Sequence, residues 1–106
     1  MYNATKAANE AMVRTYANAF GGHDPQFEFM AGTTANAVFV GLTETHATTQ
    51  FGPEAFKSMA DSFEHCFPRV SQPEDIADAV GLLCSRDARW ITGSLVSADG
   101  GSIKIT

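Results

Sequence analysis

Two short apolar segments, residues 35–40 and 94–98, are separated along the chain by two stretches of helical periodicity. This order constrains the fold most, because strands joined through helices pair in parallel. A further helical pattern precedes the first strand, at residues 3–20. The order helix, strand, helix, helix, strand predicts an α/β fold. Two strands alone leave unpaired edges, so we expect one sheet edge and its apolar face to lie open.

The first helical pattern contains neither proline nor glycine. Ala8, Met12 and Tyr16 recur at helical spacing, and Gly21-Gly22 follows as a stop signal. We therefore expect a helix that ends at about residue 20.

The second and third helices have proline and capping signals. Pro53 suits a first helical turn, and Phe67 precedes the next proline, so the second helix is expected to end there. For the third helix, Ser71 is the expected N-cap and Glu74 its capping-box partner. Its expected buried face is made of Ile76, Ala79, Val80 and Leu83.

Composition excludes several functions. The chain has 106 residues, a net charge of -5 and 44% hydrophobic residues, which predict one small globular domain without a surface for nucleic acid or an anionic membrane. No apolar run is long enough to span a bilayer. Residues 1–10 carry no secretory signal pattern, so we expect a cytoplasmic protein.

The cysteines and histidines predict no metal site. Cys66 and Cys84 form neither a disulfide framework nor a zinc motif, and we expect small buried thiols in a reducing compartment. The histidines lack the spacing of metal ligands and are expected at the surface.

A tyrosine and a lysine four residues apart open the first helix. Tyr2 and Lys6 share one helical face at this spacing, so a phenol and an ammonium can serve one site. A nearby positive charge favours the phenolate and makes the phenol a better proton donor. A solvated surface pair is the alternative for such a pattern taken alone.

The longer run Y-N-A-T-K-A-A at residues 2–8 resembles the Y-x-A-S-K-A-A segment of short-chain dehydrogenases/reductases. Residues 36–45 resemble the N-x-V-x-P-G-x-x-x-T strand and loop of that family, with Val40 where the family has proline. Residues 69–77 match its R-x-x-x-P-E-[DE]-I-A helix start. The I-T-G and D-G-G pieces follow at residues 91–93 and 99–101.

The resemblance implies the C-terminal portion of a Rossmann-type doubly wound parallel sheet. Residues 1–106 would form a partial NAD(P)-binding domain without the N-terminal dinucleotide-binding half, since the glycine-rich turn, the N-N-A-G segment and the catalytic serine of the family are not found in the sequence. We therefore expect the isolated chain to be inactive.

The family's roles map onto five residues. By resemblance, Tyr2 is the acid/base that exchanges a proton with substrate oxygen, and Lys6 binds the nicotinamide ribose and biases Tyr2. Gly41, Thr43 and Thr45 correspond to the loop that contacts NADP or NAD. The implied reaction interconverts a ketone and a secondary alcohol by hydride transfer.

Residues 46–67 correspond to the family's substrate lid, and their phenylalanines suggest a small apolar carbonyl or alcohol substrate. Core packing is the alternative for Phe56, Met59 and Phe63, and strand-end packing is expected for Asp99.

Three hypotheses stay open at this stage. The chain is the tail of a longer reductase, a non-catalytic oligomerisation or interaction module, or a decayed remnant. The second hypothesis uses small residues of the first helix that would permit close approach of a second copy: Ala4, Ala7, Ala8 and Ala11.

Overall fold

The structure is a computed structural model that describes residues 2–103, except for the side chain of Tyr2. Its elements follow the predicted order, with one short helix added after the first strand. They are α1 (Tyr2–Asn18), β1 (Ala37–Val40), α2 (His46–Thr49), α3 (Pro53–Ser62), α4 (Pro73–Leu83) and β2 (Leu95–Ala98). Short 3-10 turns occur at Pro25–Met30 and Arg86–Ala88. The α/β prediction is confirmed.

The two strands form one parallel sheet. The Ala37 N–H donates to the Ser94 carbonyl at 2.9 Å, and the Gly41 N–H donates to the Ala98 carbonyl at 3.4 Å. Both strands begin one or two residues later than the sequence pattern predicts. The reason lies in Asn36, whose side chain donates to the Ile91 carbonyl at 2.8 Å and accepts from the Ser94 N–H at 3.1 Å.

The chain divides into two units, Met1–Val38 with Leu82–Val96, and Phe39–Gly81 with Ser97–Thr106. In the first unit, α1 ends in a π-helical turn at Ala19–His23, where Gly22 has φ of 119°. Phe20 stacks on Tyr16 at a centroid distance of 5.5 Å and meets Phe27 edge-on at 5.2 Å. The predicted glycine stop is thus correct, and an aromatic cluster holds the turn.

In the second unit, α3 begins at Pro53 as predicted but ends at Ser62 instead of Phe67. The Ser62 hydroxyl donates to the Met59 carbonyl at 2.7 Å, which satisfies an acceptor in the last turn. Phe63, which follows α3, has an extended backbone, and the Cys66 N–H donates to the Gly100 carbonyl at 2.8 Å. A bond between residues far apart in sequence therefore replaces the last helical turn.

The predicted capping box of α4 is wrong by one residue. Pro73 is the first helical residue, so Gln72 is the N-cap, and its N–H donates to the Asp75 carboxylate at 2.7 Å. Ser71 and Glu74 do not form the predicted pair, because Ser71 bonds to Thr43 instead. The preference of proline for the first helical position explains the register.

Several apolar side chains of the described residues are exposed. Val40 in β1 is 44% exposed and Leu95 in β2 is 50% exposed. The two residues lie on opposite faces of the sheet, so the expectation of one open face stays a prediction. Val80, expected on the buried face of α4, is 44% exposed, so that expectation is wrong. Leu42 and Ala88 are the buried apolar residues in the described range.

Both cysteines are exposed, so the expectation of buried thiols is wrong. Cys66 follows the last turn of α3, and Cys84 follows α4 directly. Within residues 2–103, no helix combines the length and the apolar character that crossing a membrane requires.

Candidate functional site

The predicted acid/base pair lies at the start of α1. Tyr2 is the first helical residue, and Lys6 follows four residues later, with its side chain exposed. Because α1 is continuous from Tyr2 to Asn18, the two positions share one face of the helix. The side chain of Tyr2 lies outside the described part of the chain, so the catalytic roles of both residues stay predictions.

Gly41 ends β1 where two backbone segments meet closely. A Cβ atom at this position would lie 2.9 Å from the Asp99 Cα, 3.1 Å from its Cβ and 3.1 Å from its carbonyl oxygen. Because these distances are so short, no residue with a side chain fits at position 41 unless the backbone around Asp99 moves. Gly41 is therefore required by packing against Asp99, and its predicted cofactor contact stays a prediction.

Asp99 organises the turn that packs on Gly41. It is 5% exposed, and its carboxylate accepts bonds from the Gly101 N–H at 3.1 Å, the Ser102 hydroxyl at 3.1 Å and the Ile103 N–H at 2.9 Å. The bond from Ile103 is the main cause that lowers the pKa of the Asp99 carboxyl, while burial opposes it. The predicted structural role of Asp99 is confirmed.

Thr43 is 7% exposed and is fixed on several sides. It forms a parallel bridge with Ser71, in which the Ser71 N–H donates to the Leu42 carbonyl at 3.1 Å and the Glu44 N–H donates to the Ser71 carbonyl at 2.9 Å. The hydroxyl oxygens of Thr43 and Ser71 are 2.6 Å apart. The sequence pattern did not reveal Ser71 as part of this loop, because it marked the residue as a helix cap.

Thr45 is the N-cap of α2 and is half-buried. Its hydroxyl accepts from the Thr48 N–H at 3.4 Å, and its own N–H donates to the Thr48 hydroxyl at 2.9 Å. The Thr48 hydroxyl donates to the Thr43 carbonyl at 2.6 Å. The segment predicted as a polar loop therefore contains a capped helical turn, because its threonines satisfy one another.

The structure brings Gly41, Thr43 and Thr45 into one loop, and they differ in what they can offer a ligand. The Thr43 hydroxyl is buried and bonds to Gly41 and Ser71. Thr45 is half-buried, and its hydroxyl bonds to Thr48 within its own helical turn. Of the two residues, Thr45 is the less buried.

The segment predicted as a substrate lid contains α2, α3 and an extended stretch. Residues 60, 61 and 63–70 line a cavity of about 670 Å³. Phe63 is 43% exposed and stacks on His65 at a centroid distance of 5.9 Å, whereas Phe56 and Met59 are half-buried. The core-packing alternative thus suits Phe56 and Met59 better than Phe63.

His65 departs from the expectation of a surface histidine. The residue is half-buried, and its Nε2 atom is buried without a hydrogen-bond partner. Within the described range, no three histidine, cysteine, aspartate or glutamate side chains are grouped to hold a metal ion.

Within each unit, one predicted site residue carries a donor of the kind that the nicotinamide end of a dinucleotide requires. In the first unit, Lys6 carries an ammonium, which can donate to ribose hydroxyls. In the second unit, the half-buried Thr45 carries a hydroxyl, which can donate to a carboxamide oxygen. The sequence contains no glycine-rich turn between a strand and a helix that would bind the pyrophosphate.

Residues 1–102 match the family described as enoyl-(acyl carrier protein) reductase. The short chain dehydrogenase penD of Penicillium thymicola is 40% identical over 104 residues, which are 94% of this chain and 35% of that protein. The solved structure of the angucycline C-6 ketoreductase LanV with bound NADP has a TM-score of 0.77 and 31% identity, over 95% of this chain and 35% of that chain.

A second solved structure, 4-hydroxyisoleucine dehydrogenase complexed with NADH, has a TM-score of 0.75 and 29% identity, over 95% of this chain and 38% of that chain. This chain thus spans little more than a third of the length of the relatives it matches. The family match and these Rossmann-fold neighbours agree with the motifs found in the sequence. The chain belongs to the short-chain dehydrogenase/reductase family of oxidoreductases.

Proposed function

We propose that this sequence supplies the proton-transfer and nicotinamide-contacting part of an NAD(P)-dependent enzyme that interconverts a ketone and a secondary alcohol. The observation that carries the proposal is the placement of Tyr2 and Lys6 one turn apart at the start of the continuous helix α1. The similarity to LanV, a ketoreductase with bound NADP, and to 4-hydroxyisoleucine dehydrogenase with NADH supports this reaction class.

In this proposal the phenol oxygen of Tyr2 gives a proton to the substrate carbonyl oxygen in the direction of reduction and takes it back in oxidation. The Lys6 ammonium binds the ribose of the cofactor and favours the phenolate of Tyr2 by its charge. The nicotinamide, when bound, supplies or accepts the hydride. These two roles require that Tyr2 and Lys6 lie on the same face of one helix, and their spacing in α1 meets that requirement.

We assign the cofactor contact of the loop to the Thr45 hydroxyl. Thr43 lies deeper, at 7% exposure, and its hydroxyl already bonds within the protein. Gly41 and Thr43 then shape the loop, and Thr45 presents the donor. Use of NADP or of NAD is equally compatible with these residues, since the two solved relatives differ in this respect.

The proposed substrate is a small apolar carbonyl compound or alcohol. Phe63 is 43% exposed and Phe67 is 62% exposed, and both line the cavity in the region that corresponds to the substrate lid. Aromatic side chains that remain exposed beside a cavity favour an apolar ligand over a charged one.

The decisive experiment uses a hybrid protein. The part of LanV that precedes its matching segment is joined to residue 1 of this chain, so that the hybrid has a complete cofactor-binding site. We expect the hybrid to oxidise NADPH with a ketone substrate. Tyr2→Phe should lower kcat by roughly 100-fold or more, because a positioned acid contributes about that much, and should leave NADPH binding unchanged.

Tyr16→Phe is the matched control, since it removes the same hydroxyl from the same helix at a residue outside the proposed site. A hybrid that binds NADPH but keeps near-normal kcat with Tyr2→Phe would refute the acid/base assignment. The chain by itself should give no saturable change in NADPH or NADH fluorescence at micromolar cofactor, because it has no pyrophosphate-binding turn. Tight binding would contradict the proposed dependence on such a turn.

A second candidate function is association of two copies through α1. The small residues at its start are exposed: Ala4, Ala7, Ala8 and Ala11. Met12, on the same helix, is 46% exposed. Sedimentation of the purified chain tests this candidate, since a dimer that Ala8→Arg dissociates would support it and a monomeric chain would refute it.

A further inference from the structure

The hydroxyls of Ser71 and Thr43 are in close contact although the two residues are 28 positions apart. Their oxygens are 2.6 Å apart, and Thr43 is 7% exposed. Ser71 is free to make this contact because the N-terminus of α4 does not use its hydroxyl. The Gln72 N–H is satisfied by the Asp75 carboxylate at 2.7 Å.

The Thr43 hydroxyl has two partners. It lies 3.1 Å from the Gly41 carbonyl oxygen, to which it can donate, and 2.6 Å from the Ser71 hydroxyl oxygen. Either hydroxyl can donate in the second contact, because each has one proton and can also accept. In both arrangements Ser71 holds the Thr43 side chain in the rotamer in which it reaches Gly41.

The same residue, Thr43, connects to Thr45 through Thr48. The Thr43 carbonyl accepts from the Thr48 hydroxyl at 2.6 Å, and the oxygen of that hydroxyl accepts from the Thr45 N–H at 2.9 Å. Helix α2 has only four residues, too few to be stable through its own backbone bonds. The position of Thr45 therefore depends on how firmly Thr43 is held.

We infer that Ser71 is a positioning residue that acts through Thr43 and Thr48 to hold Thr45 in place. Its importance for cofactor binding rests on the function proposed above. The placement of Thr45 does not, because every contact in the series lies within the chain. Ser71 touches neither cofactor nor substrate in this scheme.

Amide hydrogen exchange of the chain, followed residue by residue by NMR, tests the inference without any cofactor. Ser71→Ala should speed exchange of the Thr48 and Thr49 amides about fivefold, the effect of losing one ordinary hydrogen bond. Both amides donate to Thr45 in the native chain. The Phe56 amide, which donates to the Gly52 carbonyl in α3, should not change.

Two further variants separate positioning from general loss of stability. Ser71→Thr keeps the hydroxyl and should restore slow exchange. Ser62→Ala removes a serine hydroxyl that bonds only within its own helical turn and should leave the amides of α2 unchanged. Equal effects of Ser62→Ala and Ser71→Ala, or failure of Ser71→Thr to restore slow exchange, would overturn the inference.

Thr43→Val provides an independent measurement, made at the other hydroxyl of the pair. If the two hydroxyls act as one unit, the double variant should exchange no faster than the faster of the two single variants. Additive effects would show that Ser71 acts elsewhere and would overturn the inference. The exchange experiment uses no cofactor, so a negative result would not contradict the proposed oxidoreductase function. An inactive hybrid enzyme, in turn, would not contradict the role of Ser71 in positioning Thr45.

Discussion

Replacing Gly41 with alanine tests how tightly the end of β1 packs against the Asp99 turn. The new Cβ would lie 2.9 Å from the Asp99 Cα and 3.1 Å from both its Cβ and its carbonyl oxygen. The neighbour cannot yield easily, because its carboxylate is bonded to Gly101, Ser102 and Ile103. Forcing a methyl group into a packed site costs about 1–3 kcal/mol of unfolding free energy, and the backbone atoms involved favour the upper half of that range.

The assay is urea unfolding followed by far-ultraviolet circular dichroism. With a slope of about 1 kcal/mol per molar urea, the midpoint should fall by about 1–3 M. Gly81→Ala is the matched control, because the same methyl group at Gly81 meets no atom within 4 Å. Gly81 lies inside α4, where alanine is favoured over glycine by up to about 1 kcal/mol, so this variant should be as stable as the parent or more so.

We therefore expect the urea midpoint to fall for Gly41→Ala and to stay equal or rise for Gly81→Ala. Equal midpoints for Gly41→Ala and the parent chain would show that the Asp99 turn moves aside without cost. The packing explanation for Gly41 would then be wrong, and the cofactor contact would become the better reason for a glycine there.

Two further predictions concern charge and exposure. The hydrogen bond from Arg69, at 2.6 Å, lowers the pKa of Asp75 from 3.8 to about 2, so its contribution to α4 is complete above about pH 4 and is lost as the pH falls toward 2. Protection of the Gln72 amide, taken relative to its intrinsic exchange rate at each pH, should therefore fall over that window, and in Asp75→Ala the amide should be unprotected at every pH. Constant protection in the parent chain would contradict the role of the pair. Cys66 and Cys84 should both react with a chromogenic thiol reagent without denaturant, whereas protection of either thiol would contradict its exposure.

Local signals predicted much of the fold correctly. Pro53 marks the start of α3, Gly22 adopts the positive φ that ends the first helical segment, and the order of strands and helices gives a parallel sheet. Each of these features depends on residues that are close in sequence or on the order of elements. Such features can be read from propensity and pattern alone.

The two errors in the helix bounds arise where the local pattern is ambiguous or where a contact is distant in sequence. The pattern at the start of α4 fits two registers, Ser71 with Glu74 and Gln72 with Asp75, and Pro73 at the first helical position selects the second. The end of α3 depends on a bond from Cys66 to Gly100, which no local pattern contains.

The candidate site was also predicted only in part. Thr43 and Thr45 share the loop that the motif indicated, yet the motif did not distinguish the buried hydroxyl from the accessible one. That distinction arises from Ser71, whose partner lies 28 residues away. Contacts of this kind depend on tertiary geometry, so only the structure reveals which of the two threonines is the more buried.

The parallel bridge between Thr43 and Ser71 also closes the intervening segment at its base, with two backbone bonds and one hydroxyl contact. The entropy cost of closing such a segment grows only with the logarithm of its length, about 0.6 kcal/mol for each doubling. The 44–70 segment can therefore lengthen or shorten between its fixed ends at little cost to the sheet. Insertions or deletions within that segment should therefore leave the two strand ends and the contact between the Thr43 and Ser71 hydroxyls unchanged.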